Sequence, residues 1–109
     1  MTKSLQLVVM LASLSLLMAG LSFAESSGGE IYRAKCFKCH GATGLADTSM
    51  GKALKVKPIH DPSVRNMSLS EMIAATRNGM GKMQAYKGSL TEAEIKSSTE
   101  YFRTFLSAK

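Results

Sequence analysis

Tryptophan is absent from the 109 residues, cysteine and proline occur twice each, and valine and isoleucine are sparse. A chain of this length holds one domain at most. With so few large apolar side chains it has little to fill a core, and domains of this size often need a staple. A bound apolar group would supply the missing volume. No segment alternates apolar and polar residues over the length of a strand, which argues against a sheet. Internal repeats and low-complexity domains are also missing. What is present falls into a short leader and a helical, loop-rich body.

Residues 1–24 have the layout of an export signal: Lys3 in front, an apolar run from Leu5 to Ala19 broken only by Gln6, Ser13 and Ser15, and small residues Ser22 and Ala24 at the positions a signal peptidase reads. Cleavage is expected after Ala24, leaving residues 25–109 as the working domain. The competing reading is a retained anchor, although the run is somewhat short of the about 20 apolar residues of a spanning helix. No cysteine lies near the cut, which argues against a lipid anchor. Either way the domain is delivered across the inner membrane, so the expected location is the periplasm.

Within the domain, residues 28–37 suit a helix with Ile31, Tyr32 and Cys36 towards one side. Gly41, Gly44 and Gly51 make 41–51 a loop, 52–56 suits a single helical turn, and Pro58 and Pro62 favour an extended or turned 57–63. Ser68 and Glu71 form a capping box that opens a helix striped by Leu69, Met72, Ile73 and Thr76, stopped at Asn78-Gly79. Residues 80–90 are a loop. Thr91 and Glu94 form a second box before a terminal helix carrying Ile95, Phe102, Phe105 and Leu106. The class is all-α. Such long loops suit a small domain only if they wrap something.

Cys36-Phe37-Lys38-Cys39-His40 reads C-x-x-C-H, the attachment sequence for c-type haem. Residues three apart on a helical turn share a side. Two thiols placed so can form thioethers with the two vinyl groups of one porphyrin, while His40 aims its imidazole at the iron. Three other readings compete: a redox dithiol, which usually sits near a βαβ pattern that is missing here; a zinc site from Cys36, Cys39, His40 and His60, without a second close-spaced pair; and a structural disulfide. An exported chain that spends its only two cysteines on this motif favours haem.

A sixth ligand must come from a loop able to fold over the iron, and a thioether there raises the reduction potential. Met72 lies on a helix stripe and reads as core; Met50 and Met67 occupy loop or pre-helix positions. Met80 and Met83 both fall in the loop between the last two helices. Met83 is preferred, with Tyr86 three residues on and Gly88 next, whereas Met80 directly follows the helix stop and reads as hinge or packing. His60 as a second imidazole and an open iron are the alternatives.

These residues resemble the small class I bacterial cytochromes c over essentially all of residues 28–106. Gly28 and Tyr32 stand eight and four residues before Cys36, as in that family. Tyr101-Phe-Arg103 is similar to its Tyr-x-Arg element, which crosses the first helix. Met83-Gln-Ala-Tyr86 is similar to its Met-Pro-x-aromatic loop, with Gln84 in place of the usual proline. The chain departs from many relatives in having no proline soon after His40 to present a carbonyl to the imidazole. The resemblance implies three to five helices with long loops wrapped around one covalently bound haem c, His/Met ligation through His40 and Met83, and electron transfer between redox proteins.

The formal charge is +6, of which Lys3 in the leader contributes one. Outside the cytoplasm nucleic acid is an improbable partner, and an acidic docking surface on a redox protein is the expected one. Lys38, Lys52, Lys55, Lys57, Lys82 and Lys87 flank the haem-binding segments and are expected to ring the exchange site. The expected function is that of a monomeric one-electron carrier and not an enzyme. The alternatives are a haem subunit of a dehydrogenase or oxidase complex, and an open-site haem protein acting on peroxide or binding gases.

Overall fold

A computed structural model describes residues 26–107. The leader, residues 1–24, lies outside them. Six helical segments follow one another: α1 (Gly28–Lys35), α2 (Phe37–His40), α3 (Ser49–Ala53), α4 (Pro62–Arg65), α5 (Leu69–Asn78) and α6 (Glu92–Thr104). Among the described residues there is no strand, and none of their helices is long and apolar enough to cross a membrane. The one β-like feature is an isolated antiparallel pair, Met80 with Met83.

Both capping boxes close as the sequence indicates. The Ser68 hydroxyl accepts from the Glu71 N–H while the Glu71 carboxylate accepts from the Ser68 N–H, and Thr91 and Glu94 do the same for α6. Three boundaries differ from expectation. The first helix ends at Cys36, whose φ of −110° is wide of the ideal helical value although still right-handed, and the chain restarts as α2, with the N–H groups of Cys39 and His40 donating to the Cys36 carbonyl. The turn expected at 52–56 starts earlier, at Ser49, because the Thr48 hydroxyl caps it by accepting from the Gly51 N–H. Residues 62–65, expected to be extended or turned, form a helical turn: Pro62 sits in its first turn, where its missing N–H costs nothing, and Asp61 caps it.

The frame is a crossing of α1 over α6. Gly28 makes it possible, because a side chain there would collide with the Ser97 carbonyl. One turn on, the Tyr32 and Tyr101 rings meet with centroids 5.3 Å apart, and the Arg33 guanidinium lies over the Tyr101 ring. The Tyr101 region therefore does cross the first helix. Helix α5 packs on α6 through Thr76 and Thr99, whose hydroxyls lie 3.4 Å apart, and through an exposed Arg77–Glu92 ion pair. Ile31, Tyr86, Leu90 and Ile95 form the buried apolar cluster, with Ile73 and Met83 packed at its edge. Ile59 is buried separately beside Gly44. The core is thus small, and the space between α1, α2, α5, α6 and the intervening loops is a cavity.

Candidate haem pocket

The cavity measures about 520 Å³ and draws wall residues from all the described helices except α3, and from three loops. Left unfilled, it would forfeit up to about 12 kcal/mol at about 24 cal/mol per Å³. That equals the whole stability of an ordinary domain, about 5–15 kcal/mol. Its walls are apolar in effect. Thr76, Ser98 and Thr99 line it, but their hydroxyls are already spent on carbonyls one turn back in their own helices, Met72 for Thr76 and Ile95 for the other two. A large apolar group is what such a space takes.

His40 reaches the cavity from the end of α2 and packs on Phe102 of α6, the ring centroids 5.0 Å apart. Burial holds its imidazole below the ordinary histidine value, so it is neutral with a lone pair to give. Its Nδ1 is buried and has no hydrogen-bond partner. The ring is therefore held by Phe102 and by the backbone, where the His40 N–H donates to Cys36 and the His40 carbonyl accepts from Ala46. What His40 offers the cavity is Nε2.

Cys36 lines the same cavity, and Cys39 is half-buried one turn further along; both are free thiols. Burial first, and then the neighbouring Cys39, push the Cys36 thiol up to about 11, so it is protonated at neutral pH. The segment is pinned from two sides. The buried Tyr32 hydroxyl donates to the Gly41 carbonyl at 2.6 Å, just past His40. The Thr48 hydroxyl donates to the Lys38 carbonyl at 2.6 Å, and Gly51 lies so close to the Cys39 carbonyl that no side chain would fit.

Met83 lines the cavity from the loop before α6 and is half-buried against the apolar cluster. Met80 lines it too, but is 59 % exposed. The loop is held shut by Tyr86, which is buried, donates its hydroxyl to the Lys35 carbonyl at 3.0 Å and its N–H to Thr76. Met72 is buried, as its helix stripe indicates, and also forms wall, as does Met67; Met50 does not. His60 is exposed and away from the cavity. Among the described residues no three His, Cys, Asp or Glu side chains gather as a metal site, so the zinc reading of Cys36, Cys39, His40 and His60 has no geometry behind it.

Of the six lysines, Lys55, Lys57 and Lys82 line the cavity, whereas Lys38, Lys52 and Lys87 are exposed elsewhere. Sequence reasoning missed α4 as a wall, which contributes Val64, and the contact of Phe102 with His40. The Asp61-Pro62 pair, a cap followed by a first-turn proline, was the available signal for α4.

Comparison with known proteins agrees with this architecture. A family model described as cytochrome c oxidase, cbb3-type, subunit III matches residues 24–102. Cytochrome c6 of Leptolyngbya boryana is 30 % identical over 76 residues, covering 70 % of this chain and 86 % of the relative. The solved c-type cytochrome KustC0563 superposes with a TM-score of 0.66 at 27 % identity, covering 73 % of this chain and 98 % of that one. The chain belongs to the small monohaem c-type cytochromes, electron-carrier proteins with covalently bound haem c.

Proposed function

We propose that the protein is a periplasmic one-electron carrier. In this reading Cys36 and Cys39 would hold the haem by thioethers, and His40 and Met83 would supply the two donor atoms to its iron. The observation that carries the assignment is convergence: a neutral imidazole from α2 and a thioether from the loop before α6 line one apolar cavity that Cys36 also lines. When bound, the haem supplies a one-electron ferric/ferrous couple.

The chain's residues govern how that couple is used. His40 and Met83 are both uncharged donors, and together with an apolar wall they favour the lower-charged state and raise the potential. Phe102 and the Tyr86 hydroxyl hold the two donor segments in place, so few atoms need to move when the charge changes. Lys55, Lys57 and Lys82 give the cavity a positive rim, which suits approach by an acidic redox partner. A transient carrier needs no oligomer, and once the leader is removed it needs no membrane anchor. A resident thioether also closes the site to peroxide and gases, so the protein moves electrons without turning over a substrate. The match to an oxidase subunit favours a second reading, service as a fixed haem subunit of such a complex; co-purification with a membrane oxidase would select it.

The ligand assignment is tested by the weak near-infrared band of ferric haem that reports a thioether–iron bond. Met80→Leu should leave the band and the reduction potential unchanged, and Met83→Leu should alter both. The reverse pattern would make Met80 the ligand. A ferric spectrum without the band in the unmodified protein would bring forward bis-His or open-site chemistry.

A further inference from the structure

Met80 has no evident structural duty. It is a large apolar side chain, 59 % exposed, at the edge of a cavity that has ample apolar wall without it. Its backbone, by contrast, is closely specified. The Met80 N–H donates to the Met83 carbonyl at 3.1 Å and the Met83 N–H donates to the Met80 carbonyl at 2.9 Å, which closes a two-residue turn over Gly81 and Lys82. Residues that exchange both hydrogen bonds across an antiparallel pair sit directly opposite, with Cα atoms about 5.5 Å apart and side chains on one face. Both residues accordingly line the cavity that His40 lines.

A glycine stands on each side of Met80, Gly79 and Gly81, both in the left-handed region, with φ of +82° and +58°. At Gly79 a side chain would press on the Met83 carbonyl, so the open side of the turn is at Gly81 and the freedom of Met80 lies in its side chain. Gly81 has nothing within 4 Å of where a side chain would begin, so the turn's tip is free of packing. A methionine adds three rotatable bonds and a polarisable sulfur. The other donor in the turn, Lys82, also lines the cavity, but an amine binds a metal only through a nitrogen freed of its extra proton, whereas a thioether has no proton to lose.

We propose that Met80 is a reserve axial ligand for the same iron, a second thioether that swings into the cavity when Met83 is absent and keeps the site six-coordinate. The inference rests on the assignment of Met83 as resident ligand, and the pair differs in packing accordingly. Met83 is held by the apolar cluster and by the Tyr86 anchor three residues on, while Met80 is held only by its backbone.

The test uses the matured, full-length, haem-loaded protein and four forms of it: unmodified, Met80→Leu, Met83→Leu, and the double variant. Leucine keeps the apolar volume and removes the sulfur. The readouts are the ferric thioether–iron band and the midpoint potential at neutral pH. Met80→Leu should keep the band. Met83→Leu should keep the band in weakened or shifted form, and the double variant should lose it. If Met83→Leu loses the band as fully as the double variant, Met80 is no reserve, although Met83 as resident ligand still stands. If Met80→Leu alone loses it, the resident assignment itself fails. A low-spin spectrum in Met83→Leu that lacks the band and grows in with rising pH would identify Lys82 instead and overturn the proposal. Met83→Ala is the second variant should Met83→Leu not mature. Failure of both to retain haem would equally overturn it, since a reserve that cannot hold the site is none.

Discussion

Depriving the chain of haem should unfold it. The perturbation is the double variant Cys36→Ser/Cys39→Ser, which cannot form thioethers, purified free of haem. It leaves the cavity of about 520 Å³ without its filling. At about 24 cal/mol per Å³, the coefficient for a fully enclosed void, the penalty has a ceiling of about 12 kcal/mol, against a total of about 5–15 kcal/mol for an ordinary domain. The remaining core offers little to offset it. Among the described residues the largest fully buried side chains are Tyr32, Ile59 and Ile95, and the first of these faces the cavity, as does the buried Met72. Collapse of the walls is resisted by the α1–α6 crossing, where Gly28 already lies against the Ser97 carbonyl and cannot move closer. Far-ultraviolet circular dichroism and thermal melting provide the assay. The haem-free variant should lack a cooperative transition and keep only residual helix, with α6, the longest of the described helices, contributing most of it. A haem-free chain with native helix content and a sharp melt would refute the reasoning, because its own side chains would then suffice as a core.

Other perturbations have smaller and more local outcomes. Tyr86→Phe removes the hydroxyl that reaches the Lys35 carbonyl and should cost about 1 kcal/mol, with faster amide exchange at Ser89 and Leu90, whose N–H groups donate to the Tyr86 carbonyl; unchanged exchange there would remove the hydroxyl's role in holding the loop. Glu92 is kept below the ordinary carboxylate range by hydrogen bonds from the Arg77 guanidinium. A carboxylate with a depressed folded value contributes stability that is present above its unfolded value and is lost as pH falls through the folded one. Thermal midpoints should therefore drop with acid, modestly because the pair is exposed, and drop less steeply in Glu92→Gln; equal slopes would contradict this. Electron exchange with an acidic redox protein should slow as salt shortens the screening length from about 30 Å at 0.01 M to about 8 Å at 0.15 M, and the slope should flatten when Lys55, Lys57 and Lys82 are neutralised. A rate flat in salt from the outset would remove the steering role.

Features carried by local chemistry were legible in the sequence. The two capping boxes need only residues three apart, and the C-x-x-C-H segment needs only five. The positions of Gly28, Tyr32 and Tyr101 were marked through resemblance, and packing supplies the reason: Gly28 and Tyr32 are where α1 meets α6. Legibility failed where distant segments meet. The contact of Phe102 with His40 joins residues on different helices, and nothing in either neighbourhood marks it. Helix α4 was missed because two prolines read as breakers, although Pro62 after Asp61 is a start signal. The lysines divided for a similar reason. Being near the motif in sequence put Lys38 on the list, but on α2 it is exposed outside the cavity that His40 lines. Lys55, just past α3, lines the cavity and has a left-handed φ of +54°, which its position in the sequence does not announce.

The central claim is tested most directly by an optical spectrum of the protein matured in a cell that attaches haem, oxidised and reduced, before and after denaturation in acid-acetone. Haem should stay with the polypeptide through extraction, and the native ferric spectrum should include the thioether–iron band. A chain with both thiols intact that carries no haem, or releases it on extraction, would contradict the account.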